Sequence, residues 1–195
     1  LLRPGDEIVL STENHSANVT PWLMAAQMIG AKVRWWAPSR SHVAPCSAAQ
    51  DHSWSTHLEE LVNDKTRIVA VSHASNILGQ VRDLESMRKI LDTSGAPFAH
   101  LVVDGVAACP HVFPRVSHHQ VDWYVVSCHK FFGPHMGALY GRKLSVNRLA
   151  KASGICDSST STEAIYKMLE VGTINYEGAS GAIGLGQYFA DLSMA

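Results

Sequence analysis

The chain has 195 residues, 46% of them hydrophobic and 17% charged, with a formal net charge of −1. That composition suits one globular domain, or one domain with part of a second, and gives no electrostatic case for nucleic acid or an anionic membrane as partner. No apolar run approaches the roughly 18 residues of a membrane span. Cys46, Cys109, Cys128 and Cys156 are scattered without a C-x-x-C pair, which reads as reduced thiols in an intracellular protein, cytoplasmic or organellar.

The chain opens on Leu1-Leu2-Arg3-Pro4 without a starting methionine and closes on "GQYFADLSMA", inside a helix-like pattern. It reads as a piece of a longer protein. Glu7–Leu10 is a short apolar run after Pro-Gly-Asp, the pattern of a buried strand. Ala17 to Ile29 favours a helix, with Pro21 tolerable in its first turn and Gly30 as the stop. Lys32–Trp36 reads as the next strand, Arg40–Ser53 as a surface loop, and Leu58, Leu61 and Val62 as a short amphipathic helix. Arg67–Ser72 is a further strand, followed by a loop from His73 to Gln80. Leu84, Met87, Ile90 and Leu91 recur at helical spacing, and Gly95 ends that helix. His100–Val103, Trp123–Val126 and Met136–Tyr140 are three more strands, with a helix around Val146–Ala152. Ser153–Thr162 is rich in serine and threonine and reads as mobile. Gly178–Leu192 alternates small and apolar residues in the manner of a buried helix.

Strands alternating with helices imply an α/β domain, its sheet mostly parallel and covered by helices on both faces. Ligands of such sheets gather at the carboxyl ends of the strands. Four strands here deliver polar groups to that edge. The first leads into Glu13, Asn14, His15 and Asn18, and the strand ending at Ser72 into His73, Ser75 and Asn76. "HLVV" runs into Asp104, and "WYVV" into Ser127, Cys128, His129 and Lys130.

Asp104 reads in two ways: as the cap of the turn that follows, or as the counter-ion of a protonated heterocycle nitrogen. Lys130, at the end of an apolar run, is expected to be desolvated. It could be a snorkelling side chain, an ion-pair partner of Asp104, or an amine poised to form a Schiff base. Ser127, three residues earlier, could bond a phosphate at the same strand end. His15 is a satisfied histidine or a ring that lies flat on an aromatic ligand. The group Cys109, His111, Cys128 and His129, with the pair His118-His119, matches no structural zinc spacing, so no metal is expected.

These residues resemble a family. "GDEIVLSTENHSANVTPW" (5–22), "TRIVAVSHASNILG" (66–79), "VDGVAACPH" (103–111), "DWYVVSCHKFFGPHMGALYGR" (122–142) and "LEVGTINYEG" (169–178) are similar, in order and spacing, to pyridoxal-phosphate enzymes of aminotransferase class V. The similarity lies in the cysteine desulfurase/selenocysteine lyase-like branch and extends over nearly the whole chain. It implies the large domain of a fold-type-I pyridoxal-phosphate enzyme, with residues 1–195 as its central part, incomplete at both ends, and the small domain beyond the carboxyl end.

The resemblance assigns Lys130 as the Schiff-base lysine and the base that moves the substrate's Cα proton. Asp104 would pair with the pyridinium nitrogen and His15 would stack on the ring. Asn76 would lie near the ring hydroxyl or the substrate carboxylate. Ser127 and His129 would hold the cofactor phosphate, and Thr173 would reach the phosphate of a second subunit in a homodimer.

The implied substrate is a small amino acid, with L-cysteine desulfuration as the leading reaction. Selenocysteine lyase, epimerase and aminotransferase chemistry share the same first steps, and a silent dimerisation module is the reading outside enzymes. Two positions depart from the pattern. Ala107 stands where many relatives have a glutamine, and Cys128 where desulfurases commonly have a smaller residue. Cys156 does not align with the nucleophilic cysteine of desulfurases. The phosphate loop, the carboxylate-binding arginine and that cysteine all belong to segments outside these 195 residues, so weak cofactor affinity and marginal folding are expected of this chain alone.

Overall fold

A computed structural model describes residues 2–37, 58–152, 154, 161–170 and 172–194. The segment 40–53, most of 153–162, Cys46 and Cys156 therefore lie outside the described residues. Six strands form one sheet: β1 (Glu7–Ser11), β2 (Lys32–Trp36), β3 (Thr66–Ser72), β4 (His100–Asp104), β5 (Trp123–Ser127) and β6 (Gly137–Gly141). Their spatial order is β2-β1-β3-β4-β5-β6. All neighbouring pairs are parallel except β5 with β6. Every strand expected from the sequence is present, with ends shifted by one residue at most.

The helices follow from local chemistry. A 3-10 turn (Ser16–Asn18) leads into α1 (Thr20–Ile29), which has Pro21 in its first turn. Pro21 lacks an amide proton and cannot sit deep in a helix, so the α-helical bonds begin three residues later than the periodicity predicts. Gly30 ends α1 at φ 78°, a left-handed conformation that costs glycine nothing. α2 (Leu84–Thr93) is capped by the Asp83 carboxylate, which accepts from the Ser86 amide at 3.1 Å. α3 (Lys143–Ala152), α4 (Thr162–Leu169) and α5 (Tyr176–Met194) complete the chain. Residues 58–61 form one helical turn, with Leu58 and Val62 buried. No helix of the described residues is long and apolar enough to cross a membrane.

Alternation along the strands divides the core in two. One face, with Val69, Val71, Leu101, Val103 and Tyr124, packs beneath Met87, Leu91 and the rest of the inner side of α2. On the other face, Ile8, Leu10, Ala70 and Val102 lie beneath Ala26 and Trp22 of α1. On that second face Trp123 also packs against Val146, Ala150 and Ile165 of α3 and α4. Burying each large apolar side chain contributes about 1.5–3 kcal/mol, offset by the entropy of ordering it.

Between these two helical covers, Val125 and Leu139 are paired across β5 and β6 and remain 38% and 59% exposed. The second face is thus bare near the carboxyl edge of β5.

The carboxyl-terminal helix differs from the buried helix that its sequence predicts. α5 has 19 residues, about 28 Å of helix, and Gly178 is its one buried residue among those described. Ile183 is 81% exposed and Met194 78%. The helix touches the body where Gly181 approaches Pro134, Leu185 approaches Gly133 and Phe189 meets the Phe132 ring edge-on. Small-apolar alternation specifies a helix with two packable sides, and this chain supplies a partner for only part of one.

Candidate active site

The carboxyl edge of the sheet gathers the polar residues that close its strands. Ser72 pairs in register with Asp104, and Asp104 with Val125. Ser127 follows Val125 by two residues, so Ser72, Asp104 and Ser127 share the face left bare beside Val125 and Leu139. Asn14, just after β1, spans toward this row. Its side-chain amide donates to the Ala70 carbonyl at 2.9 Å, and its Oδ1 accepts from the Ser72 hydroxyl at 3.3 Å.

Asp104 caps the turn that follows, the first of its two readings in the sequence. Its Oδ1 accepts the Val106 amide at 2.9 Å and so caps the turn, while Oδ2 accepts no hydrogen bond among the described residues. A half-buried carboxylate with one committed and one free oxygen is held in orientation yet able to take a cationic N–H donor.

Lys130 departs from expectation. It lies on the 3-10 turn Cys128–Phe131 that continues β5, and its side chain is exposed rather than desolvated. The short turn carries it past the end of the apolar strand. It forms no ion pair with Asp104 or any other carboxylate of the described residues, so its amine is uncommitted. Phe132 closes this turn at φ 71°, a conformation that costs a residue with a Cβ about 1–2 kcal/mol. Gly133 follows with its amide donating to the Cys128 carbonyl at 2.8 Å. An added Cβ at Gly133 would meet Cys128 Cβ and Leu185 Cδ1 at 2.9 Å, so the turn is closed tightly over the strand end.

The remaining sequence-derived residues fall around this edge. His129 stacks on His135 with ring centroids 4.3 Å apart. His15 is exposed and caps the 3-10 turn through Nδ1, which accepts the Ala17 amide at 3.1 Å. That bond places its proton on Nε2 and leaves the ring face free. Asn76 is exposed on the loop 73–82, which the Ala74–Val81 bridge closes. Thr173, between α4 and α5, is exposed and makes no hydrogen bond to the other candidate residues. Ser127, His129, Lys130 and Asp104 therefore cluster by strand order, whereas Thr173 lies outside the cluster in this single chain.

A buried support behind Asp104 was not legible in the sequence. His73 and Tyr124, each 2% exposed, join Nδ1 to Oη at 2.8 Å on the opposite face of the sheet. Burial, helped by nearby His119, lowers the His73 pKa to about 4. Burial is also the main cause that raises the Tyr124 pKa, with Cys109 and Asp104 adding to it. The Tyr124 ring occupies the space that a Cβ on Gly105 would fill. The His73 amide donates to the Asp104 carbonyl, and the Gly105 amide to the Val125 carbonyl, each at 2.8 Å. In the sequence His73 stands among the polar groups at the strand ends. Strand alternation, which puts residue 73 on the face opposite Ser72, is the signal that separates it from the site.

The aminotransferase class-V family model matches residues 1–195. The chain belongs to this family. It is 33% identical over 190 residues to an aminotransferase-like protein of Gibberella zeae, covering 97% of this chain and 44% of that protein. It is likewise 33% identical over 199 residues to the cysteine desulfurase CsdA of Escherichia coli, covering 97% and 46%. The crystal structure of CsdA in its S-sulfonic acid form superposes with a TM-score of 0.75 and 32% identity, covering 97% of this chain and 47% of that one. A C-DES variant with glycine covalently linked to its PLP cofactor shares the fold at a TM-score of 0.61 and 24% identity, covering 72% and 35%. The mostly parallel six-stranded sheet is thus that of the fold-type-I enzymes. The chain spans about half the length of the curated relatives it matches.

Proposed function

We propose that the protein containing this chain is a pyridoxal-phosphate enzyme acting on a small amino acid, with L-cysteine desulfuration to alanine and enzyme-bound sulfur as its reaction. The observation that carries this reading is the free Oδ2 of Asp104, set on the same bare sheet face as Ser127, with an uncommitted Lys130 amine one short turn beyond. An acid, an amine, a hydroxyl and imidazoles are the donor set that a phosphorylated pyridine aldehyde needs, and the exposed Val125–Leu139 strip offers apolar surface for its ring.

In this reading residues 1–195 are the central part of the large domain. Asp104 would accept a hydrogen bond from the pyridinium N–H and so keep the ring cationic. Lys130 would hold the cofactor through its amine and would then move the proton at the substrate's Cα. Ser127 and His129 donate to the phosphate, with Thr173 donating from a second copy in a homodimer. The His15 ring covers one face of the pyridine, and Asn76 lies near its hydroxyl or the substrate carboxylate. When bound, the cofactor supplies an electron sink for the Cα electron pair. Selenocysteine lyase, epimerase or aminotransferase chemistry would use the same residues up to that proton transfer, so substrate assays must choose among them.

Full-length protein is expected to turn yellow on adding pyridoxal phosphate. Asp104→Asn should weaken that binding, and Lys130→Ala should prevent the coloured adduct. With L-cysteine and an excess of a dithiol, which reduces the enzyme-bound sulfur and releases it as sulfide, sulfide and alanine should form in equal amounts. Colour that survives Lys130→Ala unchanged would remove the lysine assignment. Absence of both products would remove the desulfurase reading while leaving the cofactor reading standing.

A further inference from the structure

The amino ends of β4 and β5, at the sheet edge opposite the candidate active site, border a cavity of about 160 Å³. Its lining includes Arg88, Asp92, His100, Asp122, Arg142 and Arg148. The balance of donors and acceptors there is uneven. Asp122 is saturated: Oδ2 accepts the Leu101 amide at 2.8 Å and Arg88 at 3.3 Å, and Oδ1 accepts the Ser145 hydroxyl. Asp92 is held by Arg88 through Oδ1, at 2.7 Å from Nη2 and 3.1 Å from Nε. Arg88 thus answers both carboxylates and also donates to the Ala99 carbonyl at 3.0 Å.

The other two guanidiniums are left over. Arg142 and Arg148 have no carboxylate within ion-pair distance among the described residues. Arg148 lies over the Phe98 ring, 5.6 Å from its centroid, which orients its planar fork without satisfying it.

His100 adds a further donor. Its Nδ1 accepts the Trp123 indole proton at 2.9 Å, so the neutral ring carries its hydrogen on Nε2, for which no acceptor is present among the described residues. Burial is the main cause that lowers its pKa, opposed by Asp122 and aided by Arg148 and Arg88, which keeps it a neutral N–H donor.

We propose that this cavity is a binding site for a small, doubly charged oxyanion, gripped by Arg142 and Arg148 and hydrogen-bonded by His100 Nε2. Guanidinium forks match phosphate and carboxylate oxygens alike. The three arginines of the lining outnumber its two carboxylates, Asp92 and Asp122, by one. Arg142 and Arg148 are two forks that neither carboxylate occupies, so an anion with two sets of oxygens engages both. Inorganic phosphate and malonate are the probes that separate the two chemistries, with acetate at equal ionic strength as the singly charged reference.

Isothermal titration of full-length protein is the test, independent of the proposed function because the two sites lie at opposite sheet edges. Phosphate or malonate is expected to bind more tightly than acetate, and the tighter of the two names the ligand group. Arg142→Gln combined with Arg148→Gln should raise its Kd about tenfold or more, and the exposed single change Arg148→Glu should do the same without burdening the fold. Ser127→Ala with His129→Ala should leave that Kd unchanged. Binding no tighter than acetate, or binding lost through Ser127 and His129 and retained without the arginines, would overturn the proposal.

Discussion

Adding one methyl group behind Asp104 should be felt both in stability and in cofactor binding. Gly105 is buried, and a Cβ there would press on Cε1, Cζ and Oη of Tyr124, well inside the roughly 3.5–4.0 Å at which carbons rest. The ring has no free direction in which to retreat, because Tyr124 is 2% exposed and its hydroxyl is bound to His73 at 2.8 Å. Overpacking a dense core costs about 1–3 kcal/mol. Pulling the hydroxyl from His73, with both groups still buried, adds about 1–3 kcal/mol.

Gly105→Ala should therefore lose about 2–6 kcal/mol in urea unfolding at unchanged m-value. Tyr124→Ala should lose about 3–5 kcal/mol through its cavity. The two together should fall short of their sum by about 1 kcal/mol or more, since the second change removes the clash created by the first. Pyridoxal-phosphate affinity should drop in Gly105→Ala, because Asp104 is the adjacent residue. A loss below about 0.5 kcal/mol, the range of an ordinary surface change, or strict additivity of the pair, would refute this reasoning.

Asp122→Ala leaves Arg88 with Asp92 and the Ala99 carbonyl but takes the acceptor from the buried Leu101 amide and Ser145 hydroxyl, and should cost about 1–3 kcal/mol by chemical denaturation; a loss near zero would mean that those donors find another acceptor. His73 should make the fold acid-sensitive. The unfolded chain takes up its proton near pH 6.5, the folded chain only near pH 4. The stability due to a neutral His73 is therefore fully present above pH 6.5 and is lost as pH falls toward 4, by about 3 kcal/mol. Urea midpoints of wild type and His73→Gln should converge across that interval, and a constant difference between them would contradict the assignment. Phe132→Gly should stabilise the chain by about 1 kcal/mol by relieving the φ of 71°, unless the edge contact with Phe189 at 6.3 Å outweighs it in the melting curve.

The strands and the residues at strand ends were legible because short apolar runs bounded by Gly, Pro and Asp leave few alternatives to buried parallel strands. That is enough to bring Asp104, Ser127, His129 and Lys130 to one edge. The direction in which each side chain points is a finer matter. Ser72 and His73 are neighbours in sequence, yet one belongs to the site face and the other to the core beneath α2. The exposure of Lys130 depends on a 3-10 turn closed by a non-glycine residue in the left-handed region, for which no sequence pattern gives a signal. The exposure of α5 was hidden for another reason. Small-apolar alternation reports that a helix can pack, not what it packs against. The pairing of Arg88 with Asp122 is likewise a contact across 34 residues that periodicity does not reveal.

The most direct test is to reduce the full-length protein with borohydride after loading pyridoxal phosphate, then to locate the added mass by peptide mapping. The pyridoxyl group should sit on the peptide containing Lys130, in stoichiometric amount, and should be absent from Lys130→Ala. Label on another lysine, or an equal yield in the Ala variant, would contradict the placement of the active site at the carboxyl edge of β5.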